Sequence, residues 1–237
     1  MAAPTFDIND VDSSFGSSGG SFARPTHQAY VSGDLMIMAF FQDDDDTITR
    51  PTTGPNSETL IVDFEDEIGI NGPKLIVQAW VGTGTVSAGY QDFTNWNEGW
   101  IGQTILIPSG EFDSTTPIDS VSLVGGATSG TTAPSPAWDG TAAGGRVIVF
   151  AGADFRAFTG GVPSGWTQVV EQFESDAAVG CSVSYRTAET TASEAIATAN
   201  WTLDDSGANT SFGLVVNAPA GGGSIIPQIM HHRRMMQ

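Results

Sequence analysis

Cysteine occurs once in these 237 residues, lysine once and histidine three times. A lone thiol, Cys181, closes no internal disulfide and builds no zinc cluster. It falls in the apolar alternation Cys181, Val183, Tyr185, the place of a small buried hydrophobe. His27, His231 and His232 stand near the chain ends, so no Ser-His-Asp arrangement is in prospect. No apolar stretch reaches the ~18 residues of a membrane-spanning helix. Met1 to Thr5 lack the basic and apolar regions of a signal peptide, so synthesis in the cytoplasm without that export route is expected. No period of three to four residues persists long enough for a regular helix. Basic residues are scarce: 8 against 27 acidic, a net charge of −19, which repels nucleic acid.

What is present is glycine, 29 residues of it, and a 40 % hydrophobic share arranged in short β-branched and aromatic runs between turns. That pattern predicts an all-β chain, an antiparallel β-sandwich of jelly-roll-like form, with extended N- and C-terminal arms. Residues 1–28, rich in Asp, Ser and Gly, read as an N-terminal arm, and 221–237, after Gly221-Gly222-Gly223, as a C-terminal docking arm. Between them lies an internal repeat with a period of about 112 residues: 29–108 and 144–220, joined by a crossover at 109–143. Gly33-Asp34-Leu35-Met36-Ile37 aligns with Gly145-Arg146-Val147-Ile148-Val149. Leu60–Glu65 then aligns with Gln168–Glu174, Lys74–Trp80 with Gly180–Arg186, and Asn95-Trp96 with Asn200-Trp201. Each half contributes about four strands, and the two halves cover one another as a two-layer sandwich or as two small sandwiches packed closely. Pro117–Val124 offers a further edge strand.

The series Gly-Asp-Leu (Gly33 to Leu35), Pro-Ser-Gly-Trp-Thr (Pro163 to Thr167), Tyr-Arg-Thr-Ala (Tyr185 to Ala188) and Ala-Asn-Trp-Thr (Ala199 to Thr202) resembles a loose family of virion structural proteins in tailed phages. The resemblance spans roughly residues 29–219. The first half departs from it, with no Gly-Trp-Thr at its turn and no Tyr-Arg after its third strand. It implies a non-enzymatic surface subunit of the virion, a capsid decoration or cement protein. Its partners would be the capsid or tail lattice and further copies of itself. No functional residue is carried over, because the motif positions are strand and turn chemistry. The alternative is a tail or fibre adhesin, a glycan-binding module for host attachment.

Four groups are candidates for chemistry or binding. The C-terminal arm combines Ile225, Ile226, Ile229 and Met230 with Arg233 and Arg234, a basic, apolar segment on an acidic protein suited to a partner's grooves and carboxylates. Tyr90, Trp96 and Trp100, with Phe93, form a possible glycan platform, since exposed rings stack on sugars; rings also fill cores, the place expected for Trp166 and Trp201. Asp43 to Asp46 lack the spaced ligands and glycine of a calcium loop and read as a charged surface loop. Asp63, Glu65 and Glu67 share one face of a strand. They lack the further acid of a sandwich glycosidase and read as a polar outer face. Gly144-Gly145 and Gly221 to Gly223 precede no Lys-Ser/Thr and are not phosphate loops. No metal, cofactor, nucleic acid or membrane partner is expected.

Overall fold

The computed structural model describes residues 26–43, 48–67, 72–90, 93–94, 99–124, 130–175 and 178–220, and the backbone of 12–16. These residues hold strands and no helix. The first half contains β1 (Asp12–Gly16), β2 (Thr26–His27), β3 (Leu35–Gln42), β4 (Leu60–Glu67), β5 (Lys74–Val81), β6 (Gly89–Tyr90) and β7 (Trp100–Ile107). The second contains β8 (Ile118–Val124), β9 (Gly130–Pro134), β10 (Trp138–Thr141), β11 (Arg146–Asp154), β12 (Phe158–Thr159), β13 (Trp166–Glu174), β14 (Val179–Arg186), β15 (Glu194–Ile196), β16 (Asn200–Gly207) and β17 (Asn209–Val216).

Two five-stranded sheets carry the fold, in the orders β1-β7-β3-β5-β4 and β13-β14-β11-β17-β8, with antiparallel pairing throughout. Successive side chains of a strand point to opposite faces, and β3 uses both. Leu35, Ile37, Ala39 and Phe41 enter a core shared with Ile148, Phe150, Cys181, Val183, Phe212 and Leu214 of the second sheet. Met36, Met38 and Phe40 enter a separate core with Tyr30, Trp80, Phe93 and Trp100. In the second sheet Val147, Val149 and Ala151 face away from the first, toward Trp138, Phe158, Trp201 and Leu203. The two large sheets therefore lie face to face, and each is covered on its outer side. The small β2-β6 pair and the loops around Tyr30 and Phe93 cover one; β9, β12 and β16, with β10 and β15, cover the other. Burial on both faces explains why β3 and β11 are near-continuous apolar runs and not the alternation of a half-exposed strand.

The shared core is keyed by specific pairs. Phe64 stacks on Phe212 with centroids 4.2 Å apart. Gln103 Nε2 donates to Gln172 Oε1 across the sheets at 3.1 Å, and Thr210 Oγ1 donates to Asp66 Oδ2 at 2.7 Å. Phe41 lies on Gly152: a Cβ there would be 2.8 Å from Phe41 Cδ1. Each such buried ring stabilises the sandwich by about 1.5–3 kcal/mol.

Several expectations are corrected. The two large sheets exchange no strands, and a jelly-roll strand order is not shown. Each large sheet is drawn from one continuous stretch, because β3, β4 and β5 pair locally and β7 returns beside β3. The segment expected as an N-terminal arm includes β1, which pairs along β7, and β2, where His27 is buried. The crossover holds three strands, β8 to β10, of which only the edge strand β8 was expected. The expected internal repeat is not shown, and two like contacts stand one residue off its alignment. Gly33 (φ 92°) donates to Gly82 O at 2.8 Å, and Gly144 (φ 82°) donates to Thr190 O at 2.7 Å. Asp43 N donates to Gly99 O and Asp154 N to Ala208 O, both at 3.0 Å. The donors of each pair stand 111 positions apart, one less than the expected period, while their acceptors stand 108 and 109 apart. The earlier alignment set Leu35 on Val147, yet Leu35 faces the shared core and Val147 the outer one. A slip of one residue exchanges the two faces.

Candidate interaction surface

The predicted sites are dispersed by the fold. Ile225, Ile226, Ile229, Met230, Arg233 and Arg234 lie outside the described residues, as do Trp96, Asp44 to Asp46 and the side chains of Tyr90 and Glu67. Trp100 does not belong to a glycan platform. It opens β7, is 0 % exposed, and its ring stacks on Phe40 at 5.5 Å, while Phe93 stacks on the same ring at 4.8 Å. Even positions of β3 and β7 point into the outer core, and this decides the matter. Trp201 is buried, donates from Nε1 to Ser184 Oγ at 3.3 Å and meets Trp166 edge-on at 5.1 Å.

The acids of the first half are tied into the structure. Arg50 Nη1 stands 3.4 Å from Asp63 Oδ1 and 3.3 Å from Glu65 Oε2, and Lys74 Nζ stands 3.6 Å from Glu65 Oε1. Asp34 accepts from the backbone N–H of Val31 (2.9 Å) and of Ser109 (3.0 Å), binding the start of β3 to the end of β7. Glu58, 1 % exposed, was not anticipated from sequence. Its Oε1 accepts from Tyr30 Oη at 3.0 Å and its Oε2 from Asn56 N at 2.7 Å, fixing the β3–β4 loop over Trp80. Burial, chiefly, pushes the Tyr30 phenol far above its ordinary value, and Glu58 adds to the push. His27 is a core residue: its Nδ1 donates to Gln28 O at 3.0 Å and its ring meets Tyr30 edge-on at 5.8 Å. Among the described residues no group of three or more His, Cys, Asp or Glu could hold a metal ion, and no helix is long and apolar enough to cross a membrane.

Three of the four motifs that carried the resemblance meet in space. Pro163 to Thr167 turns into β13 around Gly165 (φ 85°), and Trp166 pairs with Arg186. Thr167 and Thr187 join hydroxyls at 2.9 Å, Thr187 N donates to Gly165 O at 2.9 Å, and Trp166 meets Trp201 of the Ala199–Thr202 motif. Arg186 pairs with Glu194 at 2.6 Å, and that hydrogen bond holds the Glu194 carboxyl below its ordinary value. Three segments distant in sequence thus form one packed cluster at one end of the second large sheet.

The opposite end of that sheet presents a surface with no signal in the sequence. Beyond β11 the chain turns at Phe155, which is 58 % exposed and has φ 53°. Such a conformation costs a side-chain-bearing residue about 1–2 kcal/mol, and it is braced on every side. Phe155 N donates to Ala178 O at 2.7 Å. Arg156 Nε donates to Ser206 O and Nη1 to Phe155 O, both at 2.8 Å, while the Arg156 stem packs where Gly207 leaves room. Ala157 and Asp204 exchange backbone and side-chain hydrogen bonds. The carbonyl of Arg156 and the ring of Phe173 both crowd Gly180, so Phe173, 40 % exposed, belongs to the same corner. Glu171, Asp204 and Asp205 are exposed nearby on β13 and β16. Partial burial raises the Glu171 carboxyl above its ordinary value, against the hydrogen bond from Gln168. Among the described residues β13 pairs with β14.

Compared with known proteins, the chain matches no family model, no curated protein and no solved structure.

Proposed function

We propose that the chain is a structural subunit of a tailed-phage virion, a capsid decoration or other surface protein that docks through its terminal segments. Its body is two halves of one plan packed face to face, and the duplicated plan is part of this reading. The observation that supports it most is the convergence of the Pro163–Thr167, Tyr185–Ala188 and Ala199–Thr202 segments into one cluster of packing and hydrogen bonds. The residues behind the family resemblance hold the sandwich together, as structural motifs should. The same holds for the acids that chemistry would need: Asp34, Glu58, Asp63, Glu65 and Glu194 are engaged in staples of the fold. What such a body offers a partner is its edges, corners and termini, and repetition on a symmetric particle multiplies weak contacts made there.

Co-sedimentation with undecorated particles of the encoding phage tests the proposal. Saturable binding of the full-length chain supports it. Failure to bind heads, tails or whole particles rejects it, and a glycan array then tests the adhesin alternative.

A further inference from the structure

We propose that the Phe155–Phe173 corner, where β11 ends beside β14 and β13, is the seat for the C-terminal segment, residues 221–237, of a neighbouring copy. The idea rests on the subunit reading above and adds how copies join one another.

Four observations carry it. First, the large apolar side chains exposed among the described residues are Val31, Ile61, Phe155 and Phe173, and two of the four share this corner. Second, Phe155 is held toward solvent by a left-handed backbone that Ala178, Ser206 and Asp204 brace. An exposed ring kept in a strained conformation by its surroundings points to a use for the ring. Third, Phe173 stands on β13, a strand that carries no lysine or proline to oppose an apolar segment. Fourth, the charges match. Glu171, Asp204 and Asp205 are exposed around the corner. All 27 acidic residues of the chain precede residue 221, whereas the C-terminal segment holds Arg233 and Arg234 together with Ile225, Ile226, Ile229 and Met230. The acidic body of a second copy is repelled from this corner, and its tail is attracted.

A neighbour's tail can enter the corner directly, whereas the chain's own tail would have to run back along its sheet. β17 runs antiparallel to β11, with Val216 opposite Arg146 and Asn209 opposite Ala153. The tail therefore leaves the body at the end of the sheet opposite Phe155. Seat and segment at opposite ends of one molecule make a head-to-tail contact, which propagates as a ring or a filament.

The test uses a fluorescent synthetic peptide of residues 221–237, titrated with the full-length chain and followed by anisotropy, beside sedimentation velocity of the chain alone. The expected results are saturable peptide binding and concentration-dependent self-association. Both should weaken at least tenfold in Phe155→Gly and Phe173→Ser, and both should persist in Ile61→Ser, which removes an exposed apolar residue elsewhere. Phe155→Gly relieves the backbone strain, so its melting temperature should equal or exceed that of the parent while binding falls. A merely structural Phe155 would show the reverse. Absent peptide binding, or binding indifferent to both phenylalanine substitutions, overturns the proposal. The two readings fail separately: particles saturated by a chain that ignores the peptide leave the virion reading standing, and self-association through the corner without particle binding removes the virion reading alone.

Discussion

Replacing Gly152 by alanine tests how the two large sheets meet. Gly152 pairs with Cys181 and Thr210 in the middle of the second sheet. In open space the change would stabilise the protein by about 0.4–1 kcal/mol, because alanine narrows the unfolded ensemble. Here the new methyl would lie 2.8 Å from Phe41 Cδ1 and 3.8 Å from Thr210 Cγ2. Phe41 is 0 % exposed and enclosed by the shared core, so its ring has no free side to yield toward. Overpacking of this kind costs about 1–3 kcal/mol. Phe41→Ala alone should cost about 3–5 kcal/mol through lost burial and the cavity it leaves. In the double variant the methyl enters that cavity, so the cost of Gly152→Ala should vanish and the two changes should couple by about 1–3 kcal/mol. Urea unfolding followed by tryptophan fluorescence, extrapolated to water for the parent and three variants, measures the cycle. Additivity within about 0.5 kcal/mol would mean that Phe41 and Gly152 are not in contact, and the face-to-face register described above would be wrong.

Other outcomes follow from the same structure. Glu58→Ala strands the Tyr30 hydroxyl and the Asn56 N–H, and should destabilise by about 3 kcal/mol in the same urea assay. Because the folded-state pKa of Tyr30 is raised above its ordinary 10.0, its contribution is complete below pH 10 and is lost as pH rises beyond it; Tyr30→Phe should flatten that alkaline loss of melting temperature. Glu194 has the opposite sign. Its depressed pKa gives stability above the ordinary 4.5 that is lost as pH falls through the folded value, so Arg186→Met should flatten the acid limb without shifting stability at neutral pH by more than about 1 kcal/mol. Trp100→Ala should cost about 3–5 kcal/mol in stability, the signature of a core ring; unchanged stability would return Trp100 to the surface.

The all-β class, most strands of the two large sheets and the turns at Gly33 and Gly165 were legible because they are local. Apolar runs of five to nine residues bounded by glycine, proline and serine define strands wherever they fall, and a glycine at positive φ marks a turn by its own backbone freedom. The expected likeness of the two halves is not settled by such local signals. Glycine pairs align equally well at Gly144 and Gly145, and only the direction in which Leu35 and Val147 point separates the two.

The outer layers and the candidate surface were decided by tertiary contact. Leu35 to Phe41 and Val147 to Ala151 are apolar at every position, which states that both faces are covered but not by what. A tryptophan reads the same in a loop as in a core, and only the position of Trp100 across from Phe40 places it inside. The Phe155 corner depends on Ala178, Ser206 and Asp204, residues 23 to 51 positions away, which hold a phenylalanine in a conformation it would not choose alone. Composition and periodicity determined which segments are strands and that they stack. The closing of distant backbone groups around particular side chains determined which rings became core and which were left facing solvent, because burial is a property of where segments meet and not of the segments themselves.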